Sequence, residues 1–292
     1  MRILVAHNEY QQRGGEDTVV EQETALLLAA GHEVVHYKRS NFEVQRFSGV
    51  RKLKLLSQTF WARDTQRDLT DLLRRVRPDV VHVHNTFMMI SPVIYSCCQR
   101  MGIPVVQTLH NYRLFCPAST FVRDGSPCED CVCKTLLEGV RHRCYRGSMS
   151  ATAAAAGSLA FHRARGTWDN EVDRFIALTE FARKKFVASG LRACKLRVKP
   201  NFVYPDPGAR DHLGTDYAVF VGRLTSEKGI ETAVNAWHFL PKHIRLKVIG
   251  DGPLMPTLER RVASEDLSHV SLAGRLSREQ TLEAMRNARL LL

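Results

Sequence analysis

A chain of 292 residues has room for one large or two ordinary domains with a sizeable core. No stretch approaches the ~20 apolar residues of a membrane span, and Met1 to Ala6 is too short an apolar run for a secretion signal before His7-Asn8, so the expected compartment is the cytoplasm. The net charge of +12 favours acidic partners (phosphorylated small molecules, an anionic membrane face or nucleic acid) without choosing among them, and eight cysteines in that compartment argue for thiols or metal ligands rather than a disulfide framework.

Arg2 to Ala6 reads as a short buried strand, followed by a loop, His7 to Gly15. A helix is predicted over Asp17–Ala30, with Gly31 as its left-handed cap, and Glu33 to Tyr37 as the second strand. Phe47, Val50, Leu53, Leu56 and Phe60 recur at helical spacing with Arg51, Lys52 and Lys54 between them. Such a helix buries its apolar side in the core or lies on an anionic membrane at the inner face. A further helix, Thr65–Val76, stops before Pro78. Val80 to His84 is the third strand, Ser91-Pro92 opens a helix that ends at Gly102, and Ile103 to Leu109 is the fourth strand. Strands alternating with helices give an α/β fold with a parallel, doubly wound sheet.

Three of these strands end in the same dipeptide: His7-Asn8, His84-Asn85 and His110-Asn111. Carboxyl ends of parallel strands share one edge, so the three pairs are expected to line one crevice. Metal ligation, a substrate hydrogen bond and polar capping of the strand ends are the alternatives. Metal is the weakest, because no carboxylate stands at the matching strand ends. Gly14-Gly15 opens the first helix and is either turn chemistry or bare backbone beside a ligand; it does not form a GxGxxG fingerprint.

Arg113 to Gly147 breaks the α/β rhythm with Cys116, Cys128, Cys131, Cys133 and Cys144. Cys116, Cys128, Cys131 and Cys144 have a spacing that suits a tetrahedral zinc site, which would staple a long loop with little apolar content. Buried reduced thiols and a disulfide pair are the other readings, and Cys133 is the odd one out. A small-residue helix, Ser148–Arg165, a strand, Phe175–Leu178, a helix, Glu180–Ser189, capped by Thr179, and a strand, Leu196–Val198, complete the first domain. Lys199 to Gly214, with three prolines, reads as a linker.

In the second half, YAVFVGRLTSEKGI (217–230) reads as a buried strand, then Gly222-Arg223, then a helix starting near Ser226. That places Arg223 and Lys228 at a strand's carboxyl end and a helix's first turn, where two cations suit a pyrophosphate; a solvated basic turn is the plain alternative. A helix, Glu231–Phe239, a strand, Arg245–Ile249, and Gly250-Asp251-Gly252 follow; the two glycines mark a tight turn or a close approach of backbone to a ligand. Val270–Leu272 is a strand, Ser277 caps a helix through Ala288, and Leu290–Leu292 begins another strand.

GRLTSEKG at 222–229, with VIGDGPL at 248–254, resembles the carboxyl-terminal domain of glycosyltransferase family four (group 1), retaining enzymes of GT-B type with two Rossmann-like, doubly wound domains. QTLHN at 107–111 matches the position of a family histidine that contacts the donor sugar. HNYRLFCP, RDGSPCEDC and HRCYRGS resemble a bacterial subgroup with the same cysteines. The resemblance implies an amino-terminal, acceptor-side domain over 1–198 with its insert at 113–147, a linker at 199–214, and an incomplete donor-nucleotide domain at 215–292. It implies catalytic roles for His110, Arg223 and Lys228, and donor contacts from Gly14, Gly15, Gly222, Gly250 and Gly252. The family continues with two glutamates eight positions apart, which this sequence lacks.

The expected activity is transfer of a sugar from a nucleotide diphosphate donor to a glycan or lipid-linked acceptor hydroxyl. The alternative is a truncated, inactive nucleotide- or partner-binding protein. No Asp-x-Asp triplet occurs, so no cofactor is expected for catalysis, and structural zinc is the one metal in view. The basic residues are scattered and form no nucleic-acid-binding signature, so nucleic acid is not an expected partner.

Overall fold

The computed structural model describes residues 1–11, 14–46, 57–208 and 216–292. The chain divides into two compact units, Met1–Tyr204 and Pro205–Leu292. Of the basic helix expected over Phe47–Phe60, residues 47–56 lie outside the described residues, and with them its membrane contact; 57–60 are helical. Residues 209–214 of the expected linker also lie outside them.

The first unit is built on β1 (Arg2–Glu9), α1 (Gly15–Ala29), β2 (Glu33–Ser40), α2 (Arg63–Val76), β3 (Val80–Asn85), α3 (Val93–Arg100) and β4 (Val105–Leu109). The insert follows with β5 (Val122–Arg123), β6 (Ser126–Pro127), α4 (Asp130–Cys133) and α5 (Leu137–Arg141). Then come α6 (Met149–Ala164), α7 (Thr167–Asn170), β7 (Arg174–Ala177), α8 (Glu180–Ala188) and β8 (Leu196–Val198). Six strands form one parallel sheet in the order β2-β1-β3-β4-β7-β8. The order reverses between β1 and β3, so the carboxyl ends of these two strands flank the place where a doubly wound sheet opens a crevice.

Side-chain alternation divides the strands between two faces. Leu4, Ala6, Val81 and Val83 join Leu69, Leu73, Ile90, Ile94 and Phe175 in the main core. Ile3 and Val5 form a smaller cluster with Val20 of α1. Each fully buried aliphatic side chain contributes about 1.5–3 kcal/mol. Helix ends follow local backbone demands. Gly31 takes φ 79 after α1, and Arg77 takes φ 48 after α2, just ahead of Pro78.

The insert is better anchored than its composition suggested. Leu114, Phe115, Cys116 and Phe121 are buried in the main core, and Tyr112 stacks on Phe121 with ring centroids 4.7 Å apart. Asp124 (φ 50) and Gly125 (φ 74) make the tight turn between β5 and β6. Residues 199–204 lie along the first unit: the Lys199 amide donates to the Ala177 carbonyl, and the Tyr204 amide to Gln22 of α1.

The second unit comprises β9 (Tyr217–Val221), α9 (Ile230–Trp237), β10 (Arg245–Ile249), α10 (Met255–Ser264), β11 (Val270–Leu272), α11 (Arg278–Asn287) and β12 (Leu290–Leu291). Its parallel sheet runs β11-β10-β9-β12, reversing at β9. Both faces are covered: Ala218 and Phe220 pack with Val234, Trp237 and Leu258, while Val219 packs with Ile249 and Ala284. Ser277 caps α11, its hydroxyl accepting from the Gln280 amide at 3.2 Å. The helix expected to start at Ser226 starts at Ile230 instead. A 3₁₀ turn over Ser226–Lys228 and a left-handed Gly229 (φ 72) come first.

Candidate functional site

In the first unit, strand alternation sends His82 and His84 to the α1 side of the sheet, where Glu23 of α1 meets them. His84 Nε2 stands 3.1 Å from Glu23 Oε2, and His82 Nδ1 3.6 Å from the same oxygen. The second Glu23 oxygen holds the Lys199 ammonium. His84 Nδ1 is 3.0 Å from His110 Nε2, with the two rings stacked, and His82 Nε2 is 2.8 Å from Thr108 Oγ1. Burial, followed by repulsion from neighbouring imidazoles, drives His84 and His110 down to about 3 and lowers His82 well below its usual range. All three rings are therefore neutral near pH 7.

The contact geometry orients their protons. The His84–Glu23 approach is too bent to be a formed hydrogen bond, yet an imidazole nitrogen that close to a carboxylate turns its N–H toward it rather than its lone pair. With that proton on His84 Nε2, His84 Nδ1 accepts from His110 Nε2–H, and His110 Nδ1 meets no hydrogen-bond partner among the described residues. His110 is partly exposed whereas His84 is buried, so the lone pair nearest to solvent belongs to His110.

The three strand-end histidines do not act as one trio. His7 Nε2 pairs at 2.8 Å with Asp17 Oδ1, and Asp17 Oδ2 accepts from the Gly14 amide at 2.7 Å. Carboxylates do stand near these strand ends: Glu9 closes β1, and Asp17 and Glu23 reach the histidines from α1. Glu23, His82 and His84 have ligand atoms within 4.8 Å of one another, the one such group among the described residues, and the cation already at this carboxylate is Lys199. Gly14 is extended, and a Cβ added at Gly15 would meet nothing within 4 Å, so the fold itself does not demand the pair.

Sequence reasoning missed Glu16 and Glu23. They sit seven residues apart, two turns of α1, and so share the face turned to the strand ends. Glu16 Oε1 accepts from Asn111 Nδ2 at 2.9 Å, and burial raises its carboxyl to about 7, a perturbation typical of functional sites. The signal was two acids in register on the helix after the first strand.

In the insert, Cys116, Cys128, Cys131 and Cys144 line one narrow cavity together with Phe121, Arg123 and Gly139, while Cys133 is exposed outside it. Burial pushes Cys131 up to about 11 and raises Cys144, so neither thiol is an activated nucleophile near pH 7.

In the second unit the loops after β9 and β10 are joined backbone to backbone. The Gly222 amide donates to the Ile249 carbonyl, Leu224 to Asp251, and Leu254 back to Leu224. A Cβ at Gly250 (φ 145) would stand 1.8 Å from the Gly222 oxygen, and one at Gly252 2.5 Å from the Leu224 oxygen. Contact between the loops already accounts for these two glycines. At Gly222 an added Cβ would only touch the Phe220 ring at 3.5 Å. This stitched turn closes the carboxyl end of β9, where the strand order reverses. Arg223 and Lys228 stand exposed on it. Lys228 belongs to the 3₁₀ turn rather than to a helix's first turn. Neither cation is in an ion pair within 4 Å among the described residues. Glu227 lies between them in sequence and has its carboxyl lowered, first by the nearby Thr225 side chain and more weakly by the two cations.

Residues 13–206 match the family model described as Glycosyltransferase Family 4, and residues 215–292 match the one described as Glycosyl transferases group 1. An uncharacterized glycosyltransferase of Methanocaldococcus jannaschii is 32% identical over 71 residues, a stretch covering 24% of this chain and 20% of that protein. Among solved structures, the lipopolysaccharide outer core galactosyltransferase WaaB in its apo form matches with a TM-score of 0.56 and 14% identity, over 100% of this chain and 73% of that one. The Anabaena protein HepE, in complex with UDP and glucose, matches with a TM-score of 0.53 and 14% identity, over 97% of this chain and 72% of that one. At such identities the likeness is one of fold, the GT-B fold of glycosyltransferases. No described helix is long and apolar enough to cross a membrane.

Proposed function

The chain belongs to glycosyltransferase family 4, and from that premise we propose that it moves a sugar from a nucleotide diphosphate donor to a hydroxyl of a glycan or lipid-linked acceptor, with retention at the anomeric carbon. The observation that carries this reading is the pair Arg223 and Lys228: exposed, outside any ion pair among the described residues, and held on a rigid turn at the reversal point of the second sheet. A planar guanidinium grips two phosphate oxygens at once and an ammonium adds a point charge. As the bond to the sugar breaks, the departing diphosphate gains charge, so fixed cations stabilise the transition state more than the bound donor. HepE bound to UDP and glucose supports a nucleotide-sugar donor by likeness of fold.

His110 fits the sugar side of this reading. A neutral imidazole presenting the Nδ1 lone pair accepts a hydrogen bond from a sugar hydroxyl and adds no charge near the reacting carbon.

Calorimetric titration with UDP and GDP tests the diphosphate site. Wild type is expected to bind one of them, and Arg223→Ala with Lys228→Ala to weaken that binding by roughly a hundredfold, the loss of two charge-assisted contacts. Equal affinity in the double variant would remove the site from this turn. Turnover of nucleotide sugars, with the product anomer read by NMR, tests transfer and retention. Binding without turnover would favour the alternative of a nucleotide-binding protein without catalytic activity.

A further inference from the structure

The insert brings together four thiols that the sugar-transfer reading does not use. They come from four separate segments: Cys116 from the loop after β4, Cys128 just after β6, Cys131 from α4 and Cys144 from the loop after α5. All four line one cavity, and all eight cysteines are free thiols. Cys133, two positions from Cys131 on the same short helix, is exposed and does not line it. Chance burial of small apolar residues does not sort five neighbouring cysteines in this way.

Burial keeps Cys131 and Cys144 protonated in the metal-free cavity, but three cations stand close to the thiols. Arg123 lies within electrostatic reach of Cys128 and Cys144, Arg163 of Cys131, and Arg113 of Cys116. Arg123 also pairs with Asp130 at 2.9 Å, and Arg113 and Arg163 donate to the Pro117 and Leu114 carbonyls, so all three guanidiniums are held in place. A Cβ at Gly139 would stand 3.2 Å from the Cys131 sulfur, so a larger residue there would crowd the cavity.

We propose that Cys116, Cys128, Cys131 and Cys144 bind one zinc ion as a tetrathiolate and so lock the insert onto the first unit. Each thiol gives up its proton on binding, leaving a site of net charge −2 that the three guanidiniums offset. A closed set at a Zn–S distance of about 2.3 Å has sulfurs roughly 3.8 Å apart. Here no three of the four sulfurs lie within 4.8 Å of one another. Loading therefore draws α4, the loop before it and the segment after α5 inward, and the metal orders the insert as well as occupying it. This proposal stands apart from the sugar-transfer reading.

The test is elemental analysis of the full chain, expressed with zinc supplementation and purified under reducing conditions. One zinc per chain is expected in wild type and in Cys133→Ser, and loss of zinc in Cys131→Ser. If Cys131→Ser does not fold, titration of the reduced, metal-free wild-type chain with cobalt(II) decides. A thiolate-to-cobalt charge-transfer band together with tetrahedral d–d bands supports the site. Absence of zinc together with absence of that spectrum overturns it, as does loss of metal in Cys133→Ser to the same degree as in Cys131→Ser.

Discussion

Glu23 stands between two obligations, the Lys199 ammonium on one oxygen and His84 on the other. Glu23→Gln keeps the shape but removes the charge, leaving Lys199 without its counterion and His84 free to turn over. A cost of about 1–3 kcal/mol in urea unfolding is expected. In long-range ¹⁵N spectra His110 should be the Nε2–H tautomer in wild type and a mixture in the variant; an unchanged His110 tautomer would show that Glu23 does not orient it. The same cluster sets an acid limit. His84 and His110 hold folded values of about 3 against an ordinary 6.5, so between those limits the unfolded chain binds protons that the folded one refuses. Stability therefore falls as pH drops from about 6.5 toward 3. Glu16 works in the opposite sense, its folded carboxyl keeping a proton up to about 7 that the unfolded one sheds near 4.5, but it is one group against three, His82 being lowered as well. Urea midpoints at pH 7 and pH 5 should fall steeply for wild type and less for His84→Gln with His110→Gln; parallel slopes would count against these rings as the source.

At the scale of elements, the loops after β9 and β10 separate glycines the fold requires from one it does not. Gly250→Ala would place a methyl carbon 1.8 Å from a carbonyl oxygen at φ 145, and a loss of about 3 kcal/mol or more is expected in thermal unfolding. Gly15→Ala meets open space in the first turn of a helix and should stabilise by about 0.4–1 kcal/mol through the unfolded state. Destabilisation by Gly15→Ala, or tolerance at Gly250, would contradict this division. The strands and long helices were legible in the sequence because apolar periodicity and caps such as Thr179 and Ser277 are local signals. The start of α9 was not. Ser226-Glu227 has the composition of a helix cap, yet the loop after β9 is committed to hydrogen bonds with the loop after β10, and Gly229 must reverse before the helix begins. The first sheet's carboxyl edge was half legible. Its histidines follow from strand alternation, but Glu23 and Lys199 meet across 176 positions of sequence, and no local pattern shows that.

Over the whole chain, two sheets have separate cores, and each unit has its own ligand prediction. The strand-order reversal in the second unit puts Arg223 and Lys228 on the turn after β9, whereas the cysteine cavity belongs to the first unit, between the loop after β4 and α5. Hydrogen exchange followed peptide by peptide distinguishes them. A nucleoside diphosphate without its sugar should slow exchange over 219–230, where the phosphates order the 3₁₀ turn, and leave 113–147 unchanged. A strong chelator should do the converse, quickening exchange over 113–147 as α4 and α5 loosen and leaving 219–230 as it was. The two ligands place different demands on the backbone: phosphate recruits side chains on a turn that backbone bonds already hold, while zinc adds a cross-link between insert segments otherwise joined by the β5–β6 hairpin, a few loop hydrogen bonds, the Arg123–Asp130 pair and side-chain packing. If the diphosphate protected the insert and not the turn, the phosphate site would have to be sought in the first unit, among Gly14, Gly15 and the histidines at the strand ends. If the chelator changed nothing in the insert, its order would come from the packing of Phe115, Phe121 and Tyr112 with the β5–β6 hairpin and the Arg123–Asp130 pair, and the four thiols would be packing residues.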